Sequence, residues 1–491
     1  MTAALTLPVV IPLVGAAIAL LAWRSITAQR MVTVLAVVAA LGAASLLLAR
    51  VERDGAGAID VGGWPAPIGI TLVADLFSAL MLVIGLVTIL AVLLFAIGHP
   101  ATDDDTPVFH PVYLVLTAGV ALAFVTGDLF NLFVAFEIML VSSYVLITLG
   151  GRREQVRTGM TYVVINLLAS SLFVAAIGFA YAATGTVNLA ELANRMAQVP
   201  DGVRTALSLL TLLVFGIKAA IFPLFFWLPD SYPTARTSVT AIFAGLLTKV
   251  GVYAIVRTQT LLFPGQTPTW VLLAIAAATM IVGVLGAIAQ NDMKRILSFH
   301  IVSQIGYMIF GFALFTVAGA AATVLFMLHQ IPVKTSLFLV GGLIEQRTGT
   351  TALDRVGGMV HKAPLIAALF GLAALSLAGL PPFSGFVGKL ALVEAGFDAH
   401  SWAIVAVSLV VSVFTLFSMV KIWSGVFWGV PDHPEATDGG PVPRLLYVSS
   451  AGLVAVTLLI ALCAGPLWDL SVRAGAQLLD PDGYVTVVME R

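Results

Sequence analysis

Five ionisable side chains stand where a membrane would place hydrocarbon. Glu137 lies in FNLFVAFEIMLVSSY, Lys218 opens KAAIFPLFFWLPDSYP, and Lys249 falls within AGLLTKVGVYAIV. Lys334 is part of FMLHQIPVKTSLFLVGG, and Lys389 closes LAGLPPFSGFVGK. A charge at the bilayer centre costs roughly 2.5–3.5 kcal/mol on insertion scales. Such groups must therefore pair, neutralise or line water. An amine taken out of water gives up its proton readily, which makes lysine a reversible carrier. Ionisable groups inside a membrane mark ion or proton pathways by default. His329 precedes Lys334 by five positions, about 140° around an ideal helix, so the two side chains do not stack, whereas Gln330 shares the Lys334 face. Pro332 removes one helical hydrogen bond and can bend the segment enough to bring His329 round.

Plainer readings stand beside these. Glu137 can be fixed in a static salt bridge between helices, with Lys218 as its partner. Lys249 can mark close helix packing with its amine snorkelling, although mid-span is a poor place from which to snorkel. His329 can be a satisfied packing residue. Asp128 reads as an N-cap. Asp292, Lys294 and Arg295 read as a loop leading into a helix, Ser142, Ser143 and Gln304 as ordinary helix-contact groups, Cys463 as inert, and Trp227, Trp423 and Trp428 as interfacial anchors.

The elements that carry these residues follow from composition. The chain has 491 residues, 60% hydrophobic and 10% charged, with mean hydropathy +1.06; soluble domains carry roughly 25% charged residues. The net charge of −1 and a single cysteine exclude nucleic-acid-binding, disordered and disulfide-scaffold classes. A bilayer core of about 30 Å needs about 20 apolar residues per helix. Stretches of this kind lie near 4–22, 31–50, 72–98, 109–126, 129–149, 158–184, 204–228, 237–257, 270–290, 298–317, 320–344, 363–397, 402–428 and 444–465. The expectation is an all-α polytopic membrane protein of about fourteen transmembrane helices. The runs are continuous and do not alternate, which excludes a barrel. The first stretch lacks a basic leader and reads as a retained helix.

Two of these spans must be interrupted. Pro381 and Pro382 break 363–397, and Pro223, Pro229 and Pro233 follow Lys218. The breaks are five spans apart and each carries one lysine, the pattern of an inverted-repeat transporter. Of the 24 basic residues, four are the intramembrane lysines. The loops divide the rest thirteen to seven, with Arg24, Arg152, Arg236 and Lys294 in the larger set and Arg50, Arg195, Arg257 and Arg491 in the smaller. This bias places both termini outside. The acidic run Asp103–Asp105 would then lie inside. The stretches 51–70, 185–203 and 429–443 are loop-sized, and the tail after 466 reads as a short surface segment. No Walker, dinucleotide or CxxC motif and no row of haem-ligating histidines is present, so neither cofactor nor metal is expected.

Taken together, FNLFVAFEIMLVSSYVLI, LLTKVGVYAIVR, QNDMKRILSFHIVSQIGYM, VKTSLFLVGG and LAGLPPFSGFVGKL resemble the antiporter-like membrane subunits shared by Mrp-type cation/proton antiporters, respiratory complex I and membrane-bound hydrogenases. The match runs in order from about 110 to 430. In length and in the segment VKIWSGVFWG it is most similar to the branch formed by the D-type subunits of Mrp Na⁺/H⁺ antiporters. The resemblance implies N-terminal transmembrane helices over 1–108, inverted five-helix repeats at 109–257 and 270–428, and a loop, last helix and tail over 429–491. It implies that Glu137 and Lys218 form a pair, that Lys249 and Lys334 lie on a central hydrophilic axis, and that Lys389 is the terminal lysine on the second broken helix. It further implies a hetero-oligomeric complex in the cell membrane that exchanges cytoplasmic Na⁺ for external H⁺ without a redox centre. Three positions depart from the family pattern. Gln330 stands where a second histidine is common, Arg236 and Ser238 stand where prolines are usual, and Pro332 separates His329 from Lys334.

Two other functions fit the same residues. One is a proton-pumping subunit of a complex I-like or hydrogenase-like redox complex, which co-purifying Fe–S or flavin proteins would reveal. The other is a scaffold whose lysines hold a larger assembly together. An autonomous channel is disfavoured by the lack of a readable selectivity filter.

Overall fold

The computed structural model describes residues 2–99, 106–430 and 440–490; the acidic run Asp103–Asp105, most of the 429–443 connection and Arg491 lie outside them. A helical hairpin opens the chain, α1 (Thr2–Leu21) and α2 (Ile26–Asp54), with Ser25 capping α2. The 51–70 loop is not wholly irregular. It holds β1 (Gly57–Asp60), which pairs antiparallel with β2 (Thr71–Ala74) just beyond it, four residues each and too short to leave an alternating signature in the sequence. Then come α3 (Leu76–Gly98), α4 (Phe109–Val125), α5 (Leu129–Thr148), α6 (Arg153–Thr184) and the short α7 (Leu189–Met196). Asp128 caps α5 through the Asn131 amide at 2.7 Å, where an N-cap was expected.

The first broken span begins with α8 (Asp201–Ala219) and resumes as α9 (Trp227–Ser231). The next span is one helix in three parts: α10 (Thr237–Ile242), a π-helical turn at Phe243–Leu247, and α11 (Thr248–Leu261). After α12 (Thr269–Ile288), α13 (Met293–Ala313) and α14 (Val317–Thr348), the short α15 (Met359–Lys362) leads into the second broken span, α16 (Pro364–Ala378) and α17 (Ser384–Asp398). The chain closes with α18 (Trp402–Trp423), α19 (Arg444–Leu462), α20 (Ala464–Leu478) and α21 (Pro481–Met489). Among the described residues twelve helices are long and apolar enough to cross a membrane, and α4 and α16 are shorter apolar helices. The protein is a multi-pass α-helical membrane protein.

Burial sorts these helices. The apolar windows of the α10–α11 span, α13 and α14 are 94%, 94% and 100% buried, whereas those of α1, α2, α6, α12, α18 and α19 are 33–44% buried. The first group is a core enclosed by protein, and the second presents apolar side chains outward, as lipid requires. Lys249 and Lys334 ride on the core helices. Helix α14 runs unbroken through Pro332, because its neighbours hold it on every side.

Three expectations need correction. Trp227 is no interfacial anchor: it is 2% exposed, packs on Tyr162 and Tyr232, and donates its indole N–H to the Ile217 carbonyl at 3.1 Å. Arg257 is not in a loop; it is buried in α11 against Asp75 at 2.6 Å, with Phe77, Tyr253 and Tyr484 around its guanidinium. The tail after 466, expected as a short surface segment, instead forms most of α20 and all of α21, the first packed along α14 and α3.

Candidate functional site: a buried polar row through the bundle

The break after α8 is built so that its backbone groups stay satisfied. Ala220 takes a left-handed conformation (φ +60°) and its amide bonds back to Ile217, while the Ile221 amide bonds to Gly216. The Phe222 amide finds the Thr279 hydroxyl at 3.0 Å. Irregular backbone at membrane depth survives only when enclosed in this way. Lys218 occupies the last turn of α8, where the helix dipole favours a cation. Its ammonium donates to the Ser170 hydroxyl at 3.0 Å and to the Asn166 carbonyl at 3.4 Å, and lies 5.6 Å over the Phe136 ring. The same Ser170 hydroxyl donates to the Glu137 carboxylate. Glu137 and Lys218 are thus linked through Ser170, with no direct ion pair between them among the described residues.

Lys249 follows the π-helical turn, and its ammonium donates to the Ala244 carbonyl inside that turn at 2.5 Å. A π turn leaves carbonyls off the regular ladder, which is why such turns recur at functional positions. Two glycines bring neighbouring backbones close. A Cβ on Gly251 would sit 2.7 Å from the Ala219 amide, so α11 touches the end of α8 directly beside Lys218. A Cβ on Gly245 would overlap the Thr335 hydroxyl, so the π turn lies against α14 next to Lys334.

Lys334 is wholly buried, and its nitrogen has no protein partner among the described residues. One turn earlier Gln330 donates to Gln304 of α13 at 3.1 Å. His329 faces the other way: its Nδ1 meets the Ser384 hydroxyl at 2.8 Å, and Ser384 meets Ser376 at 3.0 Å across the second break. His300 of α13 pairs with Ser418 at 2.5 Å. Five buried atoms around this centre lack protein partners: Lys334 Nζ, Gln330 Oε1, Gln304 Nε2, His329 Nε2 and His300 Nδ1. Buried polar groups in folded proteins are nearly always satisfied, so this region calls for bridging water.

The row ends at Lys389, in the second turn of α17. Its ammonium donates to the last carbonyl of α16, Ala378, at 2.8 Å and to Ser412 at 2.6 Å, and lies 5.2 Å over Tyr307. Gly379 (φ +85°) makes the turn that aims that carbonyl inward. Both broken spans therefore present a helix C-terminus to a lysine.

Ser170, Asn166, Gln304, His300 and Ser412 complete the row, and sequence reasoning did not place them on it. The only advance sign was the four-residue spacing of Asn166 and Ser170, which puts them on one face of α6. A cavity of about 960 Å³ opens at one end of the bundle, lined by Arg152, Thr158, Ser231, Arg236, Lys294 and Glu345 among others. Lys294 and Glu345 pair there at 2.6 Å. Among the described residues no three of His, Cys, Asp and Glu come together as a metal site.

Enclosed core helices, two broken spans and a row of buried amines define a polytopic membrane protein built around an internal polar path. The family model for the NADH:quinone oxidoreductase/Mrp antiporter transmembrane region matches residues 126–415, and the chain belongs to that family. It is 42% identical to the D-type Na⁺/H⁺ antiporter subunit of Alkalihalophilus pseudofirmus and 35% identical to that of Bacillus subtilis, each over 99% of both chains. In structure it is similar to a chain of the Mrp complex from Dietzia sp. (TM-score 0.92, 35% identity, 100% of both chains). It is also similar to a chain of the membrane-bound sulfane sulfur reductase, an archaeal respiratory membrane complex (TM-score 0.90, 26% identity, 99% of this chain and 100% of that one).

Proposed function

We propose that the chain is a membrane subunit of a multisubunit Na⁺/H⁺ antiporter in the cell membrane, exchanging cytoplasmic Na⁺ for external H⁺. The observation that carries this is the unpartnered Lys334 ammonium at the middle of a polar row running from Glu137 to Lys389. A static scaffold has no use for a buried amine without a counter-group. The names of the full-length relatives supply the ion pair exchanged and favour antiport over redox-driven pumping.

In this reading Lys389 and Lys334 gain and lose the proton, Lys249 passes the change in field, and the Glu137–Ser170–Lys218 unit responds by loosening or tightening. His329 joins Lys334 to the second break through Ser384. Charges at these separations in a low-dielectric core interact strongly enough to shift protonation without large backbone motion. Moving one charge against 100 mV takes about 2.3 kcal/mol, a scale such coupling can meet. The segments 109–257 and 270–428 act as two inverted repeats, each with one broken helix and a lysine beside its break. Both termini face outward, and the 960 Å³ cavity, with the larger set of basic loops, faces the cytoplasm.

The test is cation-dependent dissipation of a pH gradient in vesicles holding the assembled complex, with Glu137→Ala and Lys218→Ala. Both should assemble and fail to exchange; wild-type exchange in either assembled variant removes that residue from the path. Partners that co-purify should be further membrane subunits lacking Fe–S and flavin.

A further inference from the structure

Between the large cavity and Lys218 stands a single layer of side chains. Ser231, Pro233 and Thr161 line the large cavity. Their immediate chain neighbours Tyr232 and Tyr162 do not; they line a second, inner cavity of about 20 Å³ together with Trp227, Asn166 and Lys218. The two spaces are therefore separated by the rings of Tyr162, Tyr232 and Trp227, which pack with centroids 5.4–5.8 Å apart around Trp227. Two of the three polar tips are occupied: Tyr162 meets Ser143 at 2.8 Å, and the Trp227 indole donates to Ile217. The third is not. The Tyr232 hydroxyl is buried and has no protein partner among the described residues.

A buried hydroxyl that finds no protein group is costly unless water meets it. A cavity holds a water once it offers about 10–15 Å³ and polar partners, and the inner cavity meets both conditions, with Tyr232 and Lys218 on its wall. Tyr232 also sits on the 3-10 turn Tyr232–Thr234 that directly follows the first broken span.

We infer that Tyr232 and one water in the inner cavity form the proton outlet from Lys218, the ring acting as the partition and its hydroxyl as the carrier. The Lys218 ammonium gives a proton to the water as the water gives one to the Tyr232 hydroxyl and the hydroxyl gives its own to water in the large cavity. The net change is one proton moved from the ammonium into that cavity. This rests on the reading that places Lys218 on the path.

Exchange in vesicles is measured for Tyr232→Phe, which keeps the partition and removes the carrier, and for Leu140→Phe, which keeps the hydroxyl and fills the water space that Leu140 lines. Each should assemble and slow exchange roughly tenfold or more. In Tyr232→Phe the ratio of rates in H₂O and D₂O should rise, a change that altered packing would not produce. Lys218→Ala is run alongside. Full-rate exchange in Tyr232→Phe with Lys218→Ala inactive overturns the outlet alone, and full-rate exchange in Lys218→Ala overturns the reading beneath it. Slowing in Tyr232→Phe with an unchanged isotope ratio also overturns the outlet.

Discussion

Glu137 and Lys218 meet through one shared hydroxyl, that of Ser170, which accepts from the lysine at 3.0 Å and donates to the carboxylate. A bridging hydroxyl keeps two charges coupled while sparing them the strong attraction of direct contact, so either can change state without tearing a tight pair apart. Ser170→Ala should leave assembly intact and cut exchange by about tenfold, equivalent to about 1.4 kcal/mol. Ser170→Thr, which keeps the hydroxyl, should retain most of the rate. Vesicle exchange by the two variants, normalised to assembled complex, checks this; equal rates for Ala and wild type would remove the bridge from the mechanism.

Lys334 separates a transport role from a structural one. Its ammonium is buried without a protein partner, so it costs the fold more than a methionine of similar length would. Lys334→Met should match or exceed the wild-type melting temperature while abolishing exchange. A scaffold would show the opposite, loss of assembly with no stable inactive complex. Melting of the purified complex and exchange in vesicles are read on the same preparation.

Arg257 and Asp75 are the contrasting case, a buried pair at 2.6 Å that clamps α11 to the start of α3 beneath Tyr484 of the C-terminal helix. Removing one partner leaves the other charge buried, at a cost of about 3–5 kcal/mol. Arg257→Ala should therefore melt early, and Asp75→Ala combined with Arg257→Ala should recover part of the loss. Melting of the four-member mutant cycle checks this.

These sites were unequally legible in the chain. Charges in apolar windows are conspicuous, so Glu137 and the four lysines could be named from sequence, as could both proline-marked breaks. Their hydroxyl and amide partners could not. Ser and Thr are common in membrane helices, where they bond to the preceding turn, as Thr211 does to Leu207 at 2.9 Å, and nothing local sets Ser170 apart. Arg257 resembled a loop arginine because its partner, Asp75, lies on a distant helix. Trp227 looked like an anchor because the break that buries it has no sequence signature beyond its prolines. Pro332 resembled a kink and is carried within an unbroken helix because α14 is enclosed all round.

Asp128 gives a pH signature outside the spans. Burial raises its carboxyl from 3.8 to about 6, despite the Asn131 amide that lowers it. The folded state therefore favours the protonated form: the contribution to stability is greatest below about pH 4 and is lost as pH rises through about 6. A shift of this size is worth up to about 3 kcal/mol. Asp128→Asn, which keeps an oxygen for the cap, should flatten the fall in melting temperature between pH 5 and pH 8. Parallel slopes for the two proteins would remove Asp128 as its source.

Gly251 is the point where the two halves of the site touch, since a Cβ there would press within 2.7–2.9 Å of the Ala219 and Lys218 backbone. Backbone cannot yield as a flexible side chain can, so Gly251→Ala must push α11 away from the end of α8. Overpacking of this kind costs about 1–3 kcal/mol, and here it also widens the gap between Lys218 and Lys249. The variant should assemble with a lowered melting temperature and exchange more slowly than its stability loss alone explains. Gly178, which has open space around its added Cβ, provides the control: Gly178→Ala should leave both measurements unchanged. Equal exchange in the two variants would mean that the contact of α8 with α11 does not transmit the change in charge.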